Sequence, residues 1–205
     1  MNCKLIFTDT KFHLPKSAEK RRYKFHNNSI DSPGYVRFLM QAIAPATEHL
    51  TTKMHGLDFG CGAIPTVKEL FVSQGYGCDN YDPLFFPELP NKKYDFIIAT
   101  ECFEHFFFPA KDLQLINSKL HPNGILIIMT EQWVSAAKFK SWYYAKDATH
   151  VSFYHKSSMD FIARKFDYEK IYSDNARVTI FRKAKPELNT DSDQEIRENI
   201  AHEEV

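Results

Sequence analysis

Two stretches of the chain restrict its fold more than anything else. Residues 94–101 (Tyr-Asp-Phe-Ile-Ile-Ala-Thr-Glu) and 124–130 (Gly-Ile-Leu-Ile-Ile-Met-Thr) are nearly unbroken apolar runs, with none of the alternation that a half-exposed strand would show. Short runs of this kind suit strands covered on both faces, and such strands belong to parallel sheets with helices above and below. The intervening segments agree. Residues 55–62 form a short apolar strand entering a glycine turn, 75–83 a second short strand, and 110–120 a helix with Leu113, Ile116 and Leu120 on one face. Alternating strand and helix in this way predicts an α/β domain with a mostly parallel sheet.

The flanks extend this reading. Residues 16–31 read as a polar helix on which Tyr23 and His26 share a face. After a Ser32-Pro33-Gly34 turn, a second helix is expected over 35–44, interrupted near Pro45. Pro65 suits the first position of the next helix, with Val67, Leu70 and Phe71 inward and Gly75 as its stop. His121-Pro122-Asn123-Gly124 reads as a turn. Ser157 reads as the cap of a helix starting at Met159, and 168–174 with 176–183 as a closing antiparallel hairpin. Three regions follow: a helical cap or lid over 1–50, the α/β domain over 51–185, and an acidic tail over 186–205. That tail holds seven acids and one arginine.

Composition narrows the function. Lysine plus arginine equals aspartate plus glutamate at 26 each, so the chain lacks the basic surplus typical of nucleic-acid binding. A basic cluster at Lys16, Lys20, Arg21, Arg22 and Lys24 suits a solvated helix face. The four cysteines form no C-x-x-C pair, which argues against a zinc ribbon or a disulfide framework. His26, His105, His150 and His155 show no H-x-x-x-H spacing, so no metal site is expected. Neither a leader-like h-region nor an apolar run of about 20 residues is present, and a cytoplasmic location is the default expectation. Nothing in the chain speaks to oligomeric state.

Chemistry concentrates at Leu57-Asp58-Phe59-Gly60-Cys61-Gly62. A strand ending in D-x-G-x-G can bend sharply and let a ligand approach the backbone at the start of the next helix. About twenty residues on, Asn80-Tyr81-Asp82-Pro83 supplies a carboxylate able to accept both hydroxyls of a ribose, with Asp79 as the competing acid. The third strand runs into Glu101-Cys102-Phe103-Glu104-His105. These elements resemble the motifs of class I S-adenosylmethionine-dependent methyltransferases of the small-molecule type, which have a Rossmann-like sandwich. The resemblance covers roughly residues 20–183. It extends to Asp147-Ala148-Thr149-His150-Val151-Ser152-Phe153-Tyr154, similar to a D-x-T-H-V-x-F-Y block of a poorly characterised bacterial subgroup. It also reaches Arg22-Tyr23-Lys24-Phe25-His26-Asn27.

The resemblance implies S-adenosylmethionine as cofactor and S-adenosylhomocysteine as product. It implies cofactor contacts from Asp58, Gly60, Cys61, Gly62, Asp82, Pro83, Glu101, Tyr23 and His26. Trp133, Trp142, Tyr143 and His105 would meet a small-molecule acceptor, the aromatic ones either holding it or packing a lid. His150, with Asp147 beside it, is either a general base or a scaffold for its loop. One departure is clear: eleven residues separate Asp82 from Tyr94, too few and too proline-rich for the usual helix and strand. A sheet shortened there is expected, with Phe85 and Phe86 over the adenine side. A cofactor-binding partner subunit without turnover and a nicotinamide-dependent oxidoreductase are the competing functions. The second lacks the third glycine of G-x-G-x-x-G. Thr100-Glu101-Cys102-Phe103 stands where nucleic-acid methyltransferases carry an N-P-P-Y-like tetrad.

Overall fold

The computed structural model describes residues 3–23 and 28–185, apart from the side chains of Lys16 and Tyr23. Two short strands, β1 (Ile6–Phe7) and β6 (Ser152–Phe153), pair antiparallel outside the main sheet. Between them run α1 (Lys16–Tyr23), α2 (Pro33–Thr47), β2 (His55–Phe59), α3 (Thr66–Ser73), β3 (Gly77–Tyr81), β4 (Tyr94–Thr100), α4 (Pro109–Lys119), β5 (Leu120–Met129) and the one-turn α5 (Ala136–Phe139). Then α6 (Lys156–Lys165), β7 (Tyr168–Ser173) and β8 (Val178–Lys183) close the fold. The six-stranded sheet has the order β3-β2-β4-β5-β8-β7. Its first four strands are parallel, while β8 and β7 join antiparallel. This is a Rossmann-like sandwich, and its sheet is shortened where the chain passes from β3 to β4 with one isolated bridge, Asp82 to Phe86.

Side-chain alternation along the buried strands builds two cores. Ile97 and Ala99 of β4, with Leu126 and Ile128 of β5, pack with Leu113 and Ile116 of α4 and Met159 and Ile162 of α6. The opposite set, Phe96, Ile98, Ile125, Ile127 and Met129, packs with Leu39, Ile43 and Ala46 of α2 and Val67, Leu70 and Phe71 of α3. Continuous apolar runs are thus what a sheet covered on both faces requires.

Some boundaries differ from the sequence reading. The second helix starts at Pro33 and continues through Pro45 to Thr47. Proline suits the first turn, where no amide partner is needed, and burial of Ala42, Ile43 and Ala46 holds the helix together around the second proline. The His121–Gly124 turn lies within β5. Leu120 pairs with Tyr94 and Ile125 with Phe96, so the intervening residues bulge out, with Asn123 at φ +61°. Pro65 occupies the cap position of α3, one residue before the helix. His155, not Ser157, caps α6: its ring accepts from the Ser157 amide at 3.0 Å, and Ser158 returns a bond to the His155 amide. The acidic tail lies outside the described residues. Among the described residues, no helix is long and apolar enough to cross a membrane.

Gly56 in β2 lies directly against the ring of Phe96 in the neighbouring β4. A Cβ there would lie 2.1 Å from the Phe96 ring. Gly56→Ala is expected to cost about 1–3 kcal/mol by overpacking, measured by urea denaturation. Gly34→Ala, where nothing lies within 4 Å of the added methyl, is expected to stay within about 0.5 kcal/mol of wild type.

Candidate functional site

The carboxyl ends of β2, β3 and β4 point the same way, and the loops leaving them share the wall of one cavity of about 730 Å³. Crevices at this edge of a parallel sheet are where α/β folds bind ligands. Asp58, Gly60, Cys61, Gly62, Asp82, Pro83, Glu101, His105, Asp147 and His150 all line it. Thr10, His13, Leu14 and Glu19 from the N-terminal segment and Tyr35 from α2 complete other parts of the wall.

The glycine bend is held by β3: the Gly60 and Cys61 amides donate to the Tyr81 carbonyl at 2.8 and 3.1 Å. Gly60 lies at φ +82°, and a Cβ there would meet Cys102 Sγ at 2.2 Å. Gly62 lies at φ +67° with open space beside it, so backbone conformation rather than crowding demands glycine there. Its amide donates to Asp82 Oδ2 at 3.1 Å. The other Asp82 oxygen accepts from the Leu84 and Phe85 amides at 2.8 and 3.1 Å. Pro83 and Leu84 line the cavity; Phe85 instead lies under the Lys20 ammonium and Phe86 is exposed. Asp79 is engaged elsewhere, pairing with Lys92 at 2.7 Å and His55 at 3.1 Å and accepting from Tyr94.

Asp58 is 1% exposed, and neither of its carboxylate oxygens has a hydrogen-bond partner among the described residues. Burial, reinforced by the nearby charge of Asp82, pushes its pKa up to about 8. Glu101 follows β4 with φ +47°, its amide bonded to the Met129 carbonyl. Its carboxylate meets Arg177 at 2.9 Å; burial and Glu104 raise its pKa against the pull of that guanidinium.

Beyond Glu101 stand Glu104, His105 and His150. Glu104 is fully buried; Oε2 accepts from Thr130 at 2.8 Å and Oε1 has no partner among the described residues. His105 Nδ1 meets the Thr149 carbonyl at 2.9 Å, and His150 Nδ1 meets the Tyr144 carbonyl at 2.7 Å. A carbonyl only accepts, so Nδ1 carries the hydrogen in each ring. Burial and neighbouring His105 lower the His150 pKa to about 4. Asp147 organises the loop: one oxygen accepts from the Thr149 amide and hydroxyl, the other pairs with Arg22 at 2.6 Å.

The tryptophans and Tyr143 lie elsewhere. Trp142 Nε1 donates to Glu131 at 2.7 Å, Tyr143 donates to the same carboxylate, and Glu131 also binds Arg177 at 2.5 Å. Trp133 donates to the Lys4 carbonyl and packs on His155. With Trp142 it lines a separate cavity of about 190 Å³. The Tyr23 side chain and His26 lie outside the described residues. Arg177 and Glu131 carry no sequence motif and are joined to the site only by folding, while Tyr144, one of the loop aromatics next to Trp142 and Tyr143 in sequence, is buried with its hydroxyl beside Thr130. The grouping of Glu104 with His150 is equally hidden, since the two stand on different loops.

A family profile described as a methyltransferase domain matches residues 32–173. The chain belongs to this methyltransferase domain family. No curated protein matches the chain in sequence. The methyltransferase domain is similar in fold to the 1,6-didemethyltoxoflavin-N1-methyltransferase of Burkholderia thailandensis, solved with 1,6-didemethyltoxoflavin and S-adenosylhomocysteine. That likeness has 16% identity and a TM-score of 0.57 over 88% of this chain and 95% of the other. A SAM-dependent methyltransferase from Archaeoglobus fulgidus gives 16% identity and 0.55 over 82% and 99%. The N-methyltransferase NodS of Bradyrhizobium japonicum, solved with S-adenosylhomocysteine, gives 12% and 0.54 over 82% and 98%.

The buried Asp58 gives this methyltransferase a pH signature. Its folded pKa exceeds the unfolded value, so its ionisation penalty is absent below about pH 4 and grows until pH passes about 8. Without ligand, the wild type is expected to lose roughly 2 kcal/mol relative to Asp58→Asn between pH 6 and pH 8. Urea unfolding of both proteins at the two pH values measures this; parallel pH dependence would show Asp58 already ionised or otherwise compensated.

Proposed function

We propose that this methyltransferase transfers the methyl group of S-adenosylmethionine to a small-molecule acceptor. The observation that carries the reading is the bond from the Gly62 amide to the Asp82 carboxylate. It joins the glycine bend and the rim acid on the wall of one cavity that also holds the partnerless Asp58. A cavity of about 730 Å³ is in the size range of cofactor and small-ligand sites.

The residues fit the cofactor. Asp58 offers a carboxylate with no counterion among the described residues, suited to the cationic methionine end, and Gly62 leaves open space on the same cavity wall. Asp82 is the ribose acid, and Asp79, tied to Lys92 and His55, is not free to compete. Pro83 and Leu84 flank the adenine side, and Glu101 stands toward the methionine end. When bound, the cofactor supplies an activated methyl group on a sulfonium, so the protein's task is alignment and exclusion of water. His105 and His150 line the opposite part of the wall, and we assign them to the acceptor, with Asp147 positioning the His150 loop. Trp142 and Tyr143 act through Glu131 and Arg177, which hold Glu101, and Trp133 supports the neighbouring loop.

The N-terminal segment acts as a lid. Lys20 reaches the Leu84 carbonyl at 3.0 Å and Arg22 reaches Asp147, so α1 bridges the loop after β3 and the loop carrying His150. Tyr23 and His26 follow on the same segment and are assigned to the cofactor side.

Calorimetric titration tests the reading. S-adenosylhomocysteine is expected to bind and NADH is not. Asp82→Ala is expected to weaken S-adenosylhomocysteine at least about tenfold, 1.4 kcal/mol, while Asp79→Ala leaves it unchanged. Full affinity in the Asp82 variant would remove the ribose role.

A further inference from the structure

Glu104, His105 and His150 come together although their loops are far apart in sequence. One ligand-capable atom from each lies within 4.8 Å of the others. All three line the main cavity. We propose that these residues hold a divalent transition-metal cation and that the acceptor is a hydroxyl-bearing molecule bound through it. The proposal rests on the methyl-transfer reading above and adds the means of activation.

Three observations point to a cation rather than to ordinary loop packing. First, Glu104 is fully buried with Oε1 unpartnered and Oε2 fixed by Thr130. A buried carboxylate oxygen without a donor is costly unless a cation or donor meets it. Second, both imidazoles turn Nδ1 to a backbone carbonyl, Thr149 for His105 and Tyr144 for His150. This outer bond fixes the tautomer, with the lone pair on Nε2, the arrangement found in most histidine metal sites. Third, the donor set is two imidazoles and one carboxylate, which suits Zn²⁺ or Mn²⁺-like cations and leaves positions open for a substrate oxygen. His105 and His150 meet edge to face at 4.9 Å between ring centres, so the two rings already share one corner of the cavity.

The chemistry selects the acceptor class. An amine bound to a cation through its single lone pair has none left for the methyl group. A bound hydroxyl loses its proton to water and keeps lone pairs on oxygen, because the cation lowers its pKa. That oxygen then attacks the methyl carbon as the carbon–sulfur bond breaks. The sulfonium charge is neutralised, the oxygen becomes a methyl ether or ester, and S-adenosylhomocysteine leaves.

The test uses the full chain, freed of any affinity tag and treated with EDTA, titrated with CoCl₂ and followed by visible absorption. One Co²⁺ per chain is expected, with d–d bands. Glu104→Gln, His105→Ala and His150→Ala are each expected to weaken binding at least about tenfold, and His49→Ala to leave it unchanged. Acetohydroxamate, a two-oxygen chelator, is expected to shift the bands of the Co²⁺ protein; an unshifted spectrum would mean a closed site and overturn the acceptor role. S-adenosylhomocysteine titration of every variant reports folding and cofactor binding separately. Wild type that binds S-adenosylhomocysteine but no Co²⁺ below about 1 mM, a free energy of only about 4 kcal/mol, overturns the metal site alone. The same holds if Glu104→Gln titrates like wild type. Loss of both ligands in the wild type would overturn the methyl-transfer reading as well.

Discussion

Parallel pairing of β2 with β3 on one side and β4 on the other puts the ends of three strands on one edge. The register pairs Asp58 with Asn80 and with Ile98, so the residues that follow leave the sheet together. From that alignment the Tyr81 carbonyl can take the Gly60 and Cys61 amides, and Asp82 can take the Gly62 amide. A one-residue slip of β3 would turn Asp82 away and break all three bonds, because strand side chains alternate between faces. The apolar runs on the two sides of the sheet hold the register, and so the core indirectly fixes the site.

The same edge collects carboxyl groups that the fold alone would not choose. Asp58 and Glu104 each bury oxygen without a donor, and Glu101 occupies a left-handed conformation that costs a side-chain residue about 1–2 kcal/mol. Among the described residues, Glu101 of the three is the one in ion-pair contact with a cation, Arg177, which is itself shared with Glu131. Packing elsewhere must offset these costs, and groups strained in this way cluster where a ligand completes them. Both Asp58 and Glu104 line the one cavity, and their unpartnered oxygens suit two cationic partners rather than one: the proposed cofactor at Asp58 and the proposed cation at Glu104 Oε1.

What could be read from the chain follows from how local each signal is. Strands β4 and β5 and the bend at Gly60 and Gly62 are written in contiguous residues, and the short span from Asp82 to Tyr94 foretold the shortened sheet. Boundaries were less legible. Pro45 reads as a helix stop, yet burial of α2 carries the helix through it, and His155 caps α6 with a ring nitrogen, a job usually done by serine or aspartate. The site was legible where a strand ends and opaque where loops meet. His150 could be singled out by type, but its neighbours Glu104 and His105 come from the loop after β4. Trp142 and Tyr143 stand in a loop suited to substrate, yet their polar atoms turn toward Glu131.

The shortened sheet also accounts for the placement of α1. Where a helix and a further strand would normally flank the end of β3, this chain has a proline-rich link whose exposed carbonyls and rings need cover. Lys20 supplies it, donating to the Leu84 carbonyl while its ammonium sits 5.4 Å over the Phe85 ring. Arg22, about half a turn further on, reaches Asp147 on the opposite rim. Each contact is exposed and so individually weak, commonly under about 1 kcal/mol. Weak contacts of this kind suit the lid proposed for the N-terminal segment. On the lid proposed above, a rigid wall at the end of β3 would be replaced by a movable one, and the polar, highly charged character of α1 suits that role, since a helix with an apolar face would be fixed into the core.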